Sequence, residues 1–217
     1  MTLIRLLKKA RCHIRTATVI SFALLCACSE NTTESPKLDE DIAASIEAFE
    51  NRKIYTQLDP VTLRSIPDAE VEQAIIDYVI AKLEASDGPD KELIEGLPGG
   101  ARAFYLTWIV EGQVNNGGFN QYYFNTEGQF ASEAVAAFEY FGASEHAALM
   151  REANAVRAEE AAEMAKFKKK GTLEAFSDSY EETKLGPLDD RFYKLKENLS
   201  QLRIARIRQA PEEFSGK

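Results

Sequence analysis

The sequence predicts an all-α protein, a single compact helical domain of about seven helices with short connections. Apolar residues recur at i, i+3, i+4 and i+7 almost throughout, and no segment alternates apolar and polar residues at period two. Clusters of Gly, Pro, Asn and Ser separate these stretches, as helix ends require. A hydrophobic fraction of 45% and an aromatic fraction of 10% supply enough apolar material for a packed core.

Leu38, Ile42, Ile46 and Phe49 line one face of a first helix. Ser65-Ile-Pro-Asp68 reads as the start of a second, with Ser65 as its N-cap and an acid three residues on. Val71, Ala74, Ile75, Tyr78, Val79 and Leu83 carry that stripe to about Glu84; Ser86–Pro89 and Gly96–Gly100 are loops. A third helix aligns Ala101, Phe104, Tyr105, Trp108, Ile109 and Gly112, and as it holds the only Trp it is expected at the centre of the core. Asn115-Asn-Gly-Gly118 stops it, because Asn and Gly tolerate the left-handed conformation of a helix end. A short element, Phe119–Asn125, follows. Gly128 opens a helix with Phe130, Ala134, Ala137, Phe138 and Phe141 on one face, ending at Gly142. Ser144 caps a long Ala-rich helix from about Glu145 to Lys170, whose terminal Lys166, Lys168, Lys169 and Lys170 suit the negative end of the dipole. Leu173, Phe176 and Tyr180 mark a short helix. After Gly186-Pro187 a final one aligns Leu188, Phe192, Leu195, Leu199 and Leu202.

The whole chain of 217 residues has 26 Lys+Arg against 35 Asp+Glu, a net charge of −9. Such a balance argues against nucleic acid as a partner, since phosphate neutralisation needs a basic face. Two His and three Cys leave no material for an all-protein zinc cluster, and no cofactor is expected.

The cysteines, Cys12, Cys26 and Cys28, all lie near the N-terminus beside Arg5, Lys8, Lys9, Arg11 and Arg15. The apolar run Thr16–Ala27 would span only ~18 Å as a helix, short of a ~30 Å hydrocarbon core, so it has signal-peptide rather than membrane-span geometry. Leu25-Cys26-Ala27-Cys28 resembles the bacterial lipobox, which implies a lipoprotein signal peptide over residues 1–27, cleavage before Cys28, and acylation of Cys28 into a lipid bilayer. An ordinary secretory signal cut nearby, or an uncleaved anchor, is the alternative. Ser29, a residue other than Asp after the acylated Cys, resembles the pattern of outer-membrane lipoproteins facing the periplasm. Residues 28–37 hold the lipidated Cys and a polar tether; residues 38–92 form N-terminal helices, and 93–210 a C-terminal helical domain.

Without the signal the chain carries −14, and no cysteine but Cys28 remains, so the fold stands without a disulfide. Residues 28–165 hold −17 and residues 166–217 hold +3. Either the basic C-terminal helices pack beside acidic ones, or they form a face that rests on anionic lipid heads.

The densest polar-aromatic cluster is Glu111 to Asn125, followed by Gly128. Its Glu111, Val114, Asn115, Asn116, Gly117, Gly118, Phe119, Gln121, Tyr122, Phe124 and Asn125, with Leu188-Asp-Asp-Arg-Phe-Tyr193 later, resemble the C-terminal domain of the bacterial DNA-mimic protein family. The resemblance runs from about Leu93 to Arg208 and implies an all-α domain. DNA mimicry does not transfer with it, because a lipobox sends the chain away from cytoplasmic DNA-binding proteins.

The Asn-Gly-Gly segment has two readings. As structure, its glycines make a tight turn, its Asn amides cap helix carbonyls, and Phe119, Tyr122 and Phe124 fill the core. As a site, the candidate binding residues are Glu111, Asn115, Asn116, Gly117, Gly118, Asn120, Gln121, Tyr122, Tyr123 and Asn125, whose amides and hydroxyls suit a small polar ligand or an envelope protein. No G-x-S-x-G, H-E-x-x-H or phosphate loop occurs, and His146, in the first turn of its helix, reads as a surface or capping residue. The sequence therefore suggests an outer-membrane-tethered, non-catalytic binding module. The alternatives are an acidic DNA-mimic-type inhibitor of a DNA-binding protein and a hydrolase using Glu111.

Overall fold

A computed structural model describes residues 40–216. The expected signal peptide, Cys28, the expected tether and Leu38 lie outside the described residues. The described chain is all-α, with no strand and eleven helices, nine of them seven residues or longer, rather than about seven. They are α1 (Glu40–Glu50), α2 (Pro60–Ser65), α3 (Asp68–Glu84), α4 (Asp90–Glu95), α5 (Gly99–Thr126), α6 (Ala131–Tyr140), α7 (Ser144–Glu159), α8 (Ala161–Lys170), α9 (Leu173–Glu182), α10 (Gly186–Phe192) and α11 (Leu199–Gln209). None of them is long and apolar enough to cross a membrane. Described residues up to Ile54 belong to one compact unit and those from Tyr55 onward to a second; α1 lies in the first and α2–α11 in the second.

Local contacts account for two of the additional helices, α2 and α8. Asp59 caps α2 by accepting the N–H groups of Val61 and Thr62, each at 2.8 Å, and Pro60 pre-sets the first turn. Ser65 therefore ends α2, its hydroxyl donating to the Thr62 carbonyl, and does not cap the next helix; α3 begins after Pro67. The long Ala-rich helix is broken at Glu160. That buried carboxylate accepts the Thr183 hydroxyl and the Lys184 N–H, both at 2.7 Å, and so fastens the connection before α10. The last predicted helix likewise divides into α10 and α11.

Ser144 does not cap α7 either. Glu197, from the connection between α10 and α11, takes that place, accepting the N–H groups of Glu145 (2.9 Å) and His146 (3.1 Å) and the Ser144 hydroxyl (3.1 Å). His146 is buried rather than on the surface: its Nδ1 lies 2.8 Å from Glu197, and its ring stacks on Phe138 and meets the edge of Phe192. Burial pushes the Glu197 carboxyl up, but the bonds from Glu145, His146 and Ser144 together outweigh it and hold the pKa below the ordinary glutamate value. The stability this carboxylate contributes is thus complete above the ordinary glutamate range and is lost as pH falls through the lowered value. Urea midpoints measured from neutral pH down to about pH 3 should fall more steeply for the natural chain than for Glu197→Gln. Parallel curves would show that Glu197 is not part of the acid transition.

The core joins α5, α6, α7, α10 and α11 through Val110, Val114, Phe119, Tyr122, Tyr123, Phe138, Met150, Leu188, Phe192 and Leu199. Trp108 is not at its centre: the residue is 39% exposed, stacked on Tyr105. Ala101, Phe104 and Tyr105 of the expected stripe are buried, and beyond them α5 buries Ala103, Thr107, Val110 and Val114, a continuation disguised in the sequence by the polar Thr107.

The basic C-terminal helices do pair with acidic partners. Arg191 bonds Glu152, Arg206 bonds Glu213, and Arg203 lies against Glu111 and Glu72. Arg208 reaches Asp68 at 2.6 Å and the carbonyls of Ile66 (2.5 Å) and Leu63, closing the end of α2 and the start of α3 at once.

Candidate functional site

The Asn-Gly-Gly segment interrupts helical geometry without ending α5. Gly117 (φ −170°, ψ 35°) and Gly118 (φ 69°, ψ 179°) leave the helical region, and the chain resumes as a helix at Phe119. Two half-helices thus meet at a kink, each with orphaned backbone groups there.

Those groups are satisfied from outside α5. The Tyr180 hydroxyl, on α9, donates to the Gly117 carbonyl at 2.5 Å, and the Tyr193 hydroxyl, just past α10, donates to the Val114 carbonyl at 2.7 Å. Asp189, on α10, accepts the Phe119 N–H at 2.7 Å and caps the second half-helix. Only glycine fits at 118, because a Cβ there would lie 2.2 Å from Asp189 Oδ2 at a φ that L side chains avoid. Burial raises the Asp189 carboxyl above the ordinary aspartate value and the charge of Asp190 adds to this, with the Phe119 N–H opposing. Burial, followed by the charge of Asp189, likewise raises Tyr180 and Tyr193, so both remain hydroxyl donors at neutral pH.

The Asn amides do not cap the carbonyls, as the sequence suggested. Asn116 donates to Gln121 (3.0 Å), and Gln121 and Asn125 both donate to Gln113 (3.0 and 2.7 Å). This amide ladder spans the kink on a part-exposed face, beside exposed Asn115 and Asn116. The remaining candidates are inward. Asn120 is buried and donates to Ser179 at 2.8 Å; Tyr123 donates to Asn154 at 2.6 Å; Tyr122 is buried against Tyr123.

Glu111 is not joined to the ladder. Its carboxylate accepts from Arg203 Nη1 at 2.6 Å, and the buried Arg203 also bonds Thr107 (3.1 Å) and lies 3.5 Å from Glu72. With an arginine on it, Glu111 is an ion-pair partner rather than a free base. A surface groove of about 1030 Å³ lies elsewhere, lined by Tyr78, Lys82, Leu97, Arg102, Leu106 and Tyr140 among others, and by none of the candidate residues. There Tyr140 is pushed up to about 12 by burial and by its hydrogen bond to Glu213. Among the described residues no group of three or more His, Cys, Asp or Glu is placed to hold a metal ion.

Sequence reasoning missed Asp189, Tyr180, Tyr193, Gln113 and Arg203. Asp189 and Tyr193 do stand in the Leu188–Tyr193 stretch that carried part of the family resemblance; Tyr180 bears no local signal of its role. The sequence profile of the DMP19-like protein family matches residues 95–210. The chain belongs to that family. In this DMP19-like chain the match runs from the last residue of α4 to just past α11, and includes the kink and every side chain that fastens it. No curated protein and no solved structure matches the chain.

Proposed function

We propose that this DMP19-like chain is a lipoprotein, held at the outer membrane by acylated Cys28, whose helical domain faces the periplasm and binds an envelope protein or small polar ligand without catalysis. The observation that carries the binding role is the ladder Asn116–Gln121–Gln113–Asn125. Its amides are oriented by one another across a rigid kink, and its exposed end offers paired donors and acceptors. The membrane role is supported by the lipobox-like Leu25–Cys28 and the polar tether. Two variants test the two halves separately. Cys28→Ala should abolish labelling by radioactive palmitate, and labelling that persists refutes that anchor site. Asn116→Ala with Gln121→Ala should leave helicity by circular dichroism unchanged while a cross-linked envelope partner is lost. Undiminished recovery of that partner would remove the ladder from the binding site.

A further inference from the structure

Helix α1 carries a partly exposed apolar stripe. Ile42, Ile46 and Phe49 recur at i, i+4 and i+7; Ile42 is 42% and Phe49 46% exposed, and Ile54 beyond the helix is 59% exposed. Glu47, on the opposite side of the helix, is exposed as well. Arg52 and Lys53 follow; the Arg52 guanidinium lies 4.1 Å from the Phe49 ring centre, and its Nη1 donates to the Phe49 carbonyl at 3.2 Å.

We propose that this stripe lies in the headgroup region of the bilayer that holds Cys28, as a second, in-plane contact with zwitterionic lipid, an arrangement that stands on the acylation proposed above. Chain length supports it. Eleven residues, Ser29–Asp39, separate Cys28 from Glu40. They reach at most about 40 Å at full extension, so an acylated Cys28 keeps the start of α1 within that distance of the surface. Charge selects the lipid. The helix sequence has four acidic residues and no basic one, which disfavours an anionic surface. At its C-terminal end, a guanidinium over an aromatic ring suits a depth where the ring meets acyl carbon and the cation meets phosphate. Three apolar side chains hold a free helix on a membrane only weakly; the acyl anchor supplies the local concentration that makes the contact persist.

The test uses the acylated mature protein, residues 28–217, in phosphatidylcholine vesicles, with spin labels introduced through Ile46→Cys or Glu47→Cys. Cys28 is blocked by its acyl chain, so the introduced thiol is the one labelled. The expected result is a ratio of oxygen to nickel-chelate collisions several-fold higher at residue 46 than at residue 47. Equal, water-like ratios overturn the proposal. So does shielding of residue 46 from both reagents, which would place a protein surface, a second copy or another chain, over the stripe. Failure of the unlabelled chain to float with vesicles would overturn the acylation itself, and is read separately from either label.

Discussion

Gly118→Ala should destabilise the domain by about 3–5 kcal/mol, enough to unfold much of a domain of ordinary stability. Two effects combine. The backbone at φ 69°, ψ 179° belongs to glycine almost alone, and forcing alanine into it costs about 1–3 kcal/mol. The new methyl would also enter the space of the Asp189 carboxylate, which must swing away and release the Phe119 N–H. Losing a hydrogen bond to a charged group costs about 1.5–3 kcal/mol. Urea unfolding followed by circular dichroism measures the sum. Repeating the substitution in an Asp189→Ala background separates the parts, since the second cost should disappear there. Gly112→Ala is the internal contrast: that glycine is exposed in the same helix with nothing within 4 Å of an added Cβ, so alanine should stabilise by up to about 1 kcal/mol. Equal effects at the two glycines would refute the kink geometry.

Arg203→Met should be comparably harmful, at about 3 kcal/mol, for an electrostatic reason. Arg203 is 2% exposed, with its guanidinium 5.2 Å from the Phe104 ring centre, and it stands between Glu111 and Glu72. Methionine fills most of the volume but leaves two carboxylates facing one another without a cation, and breaking such a pair from one side costs about 3–5 kcal/mol. Both carboxylates are partly exposed, which places the expectation at the lower end. Adding Glu72→Gln and Glu111→Gln to Arg203→Met should restore a large part of the loss. A triple variant no more stable than Arg203→Met would mean that packing, not charge, is what Arg203 provides.

The helical class and most helix positions were legible because periodicity and glycine punctuation are local. Val71–Leu83 and Phe130–Phe141 need nothing beyond their own spacing. What stayed hidden depends on partners distant in sequence. Trp108 shares its stripe with the buried Ala101, Phe104 and Tyr105, yet the polar Thr107, bonded to the buried Arg203, lies in the core while Trp108 does not. Ser144 has the chemistry of an N-cap, but Glu197 arrives from 53 residues away and takes the role with a full charge. At the site, the sequence marked where helical geometry breaks, but it expected the helix to stop there and misassigned what holds the break. Amides next to a glycine pair are plausible caps on any local reading, whereas Tyr180, Asp189 and Tyr193 become candidates only once α9 and α10 are seen against α5.

Those three side chains also impose an order on folding. The contacts that finish α5 span 63, 70 and 79 residues, and the Arg208 bond to Leu63 spans 145. A chain with only its first half synthesised has no means of setting the bend at Gly117-Gly118. Until α9 and α10 arrive, those two glycines form a loose joint with unsatisfied backbone groups on either side. Closing loops of that length is entropically expensive and slow, so the domain should acquire its shape late and in one cooperative step, driven by its C-terminal third.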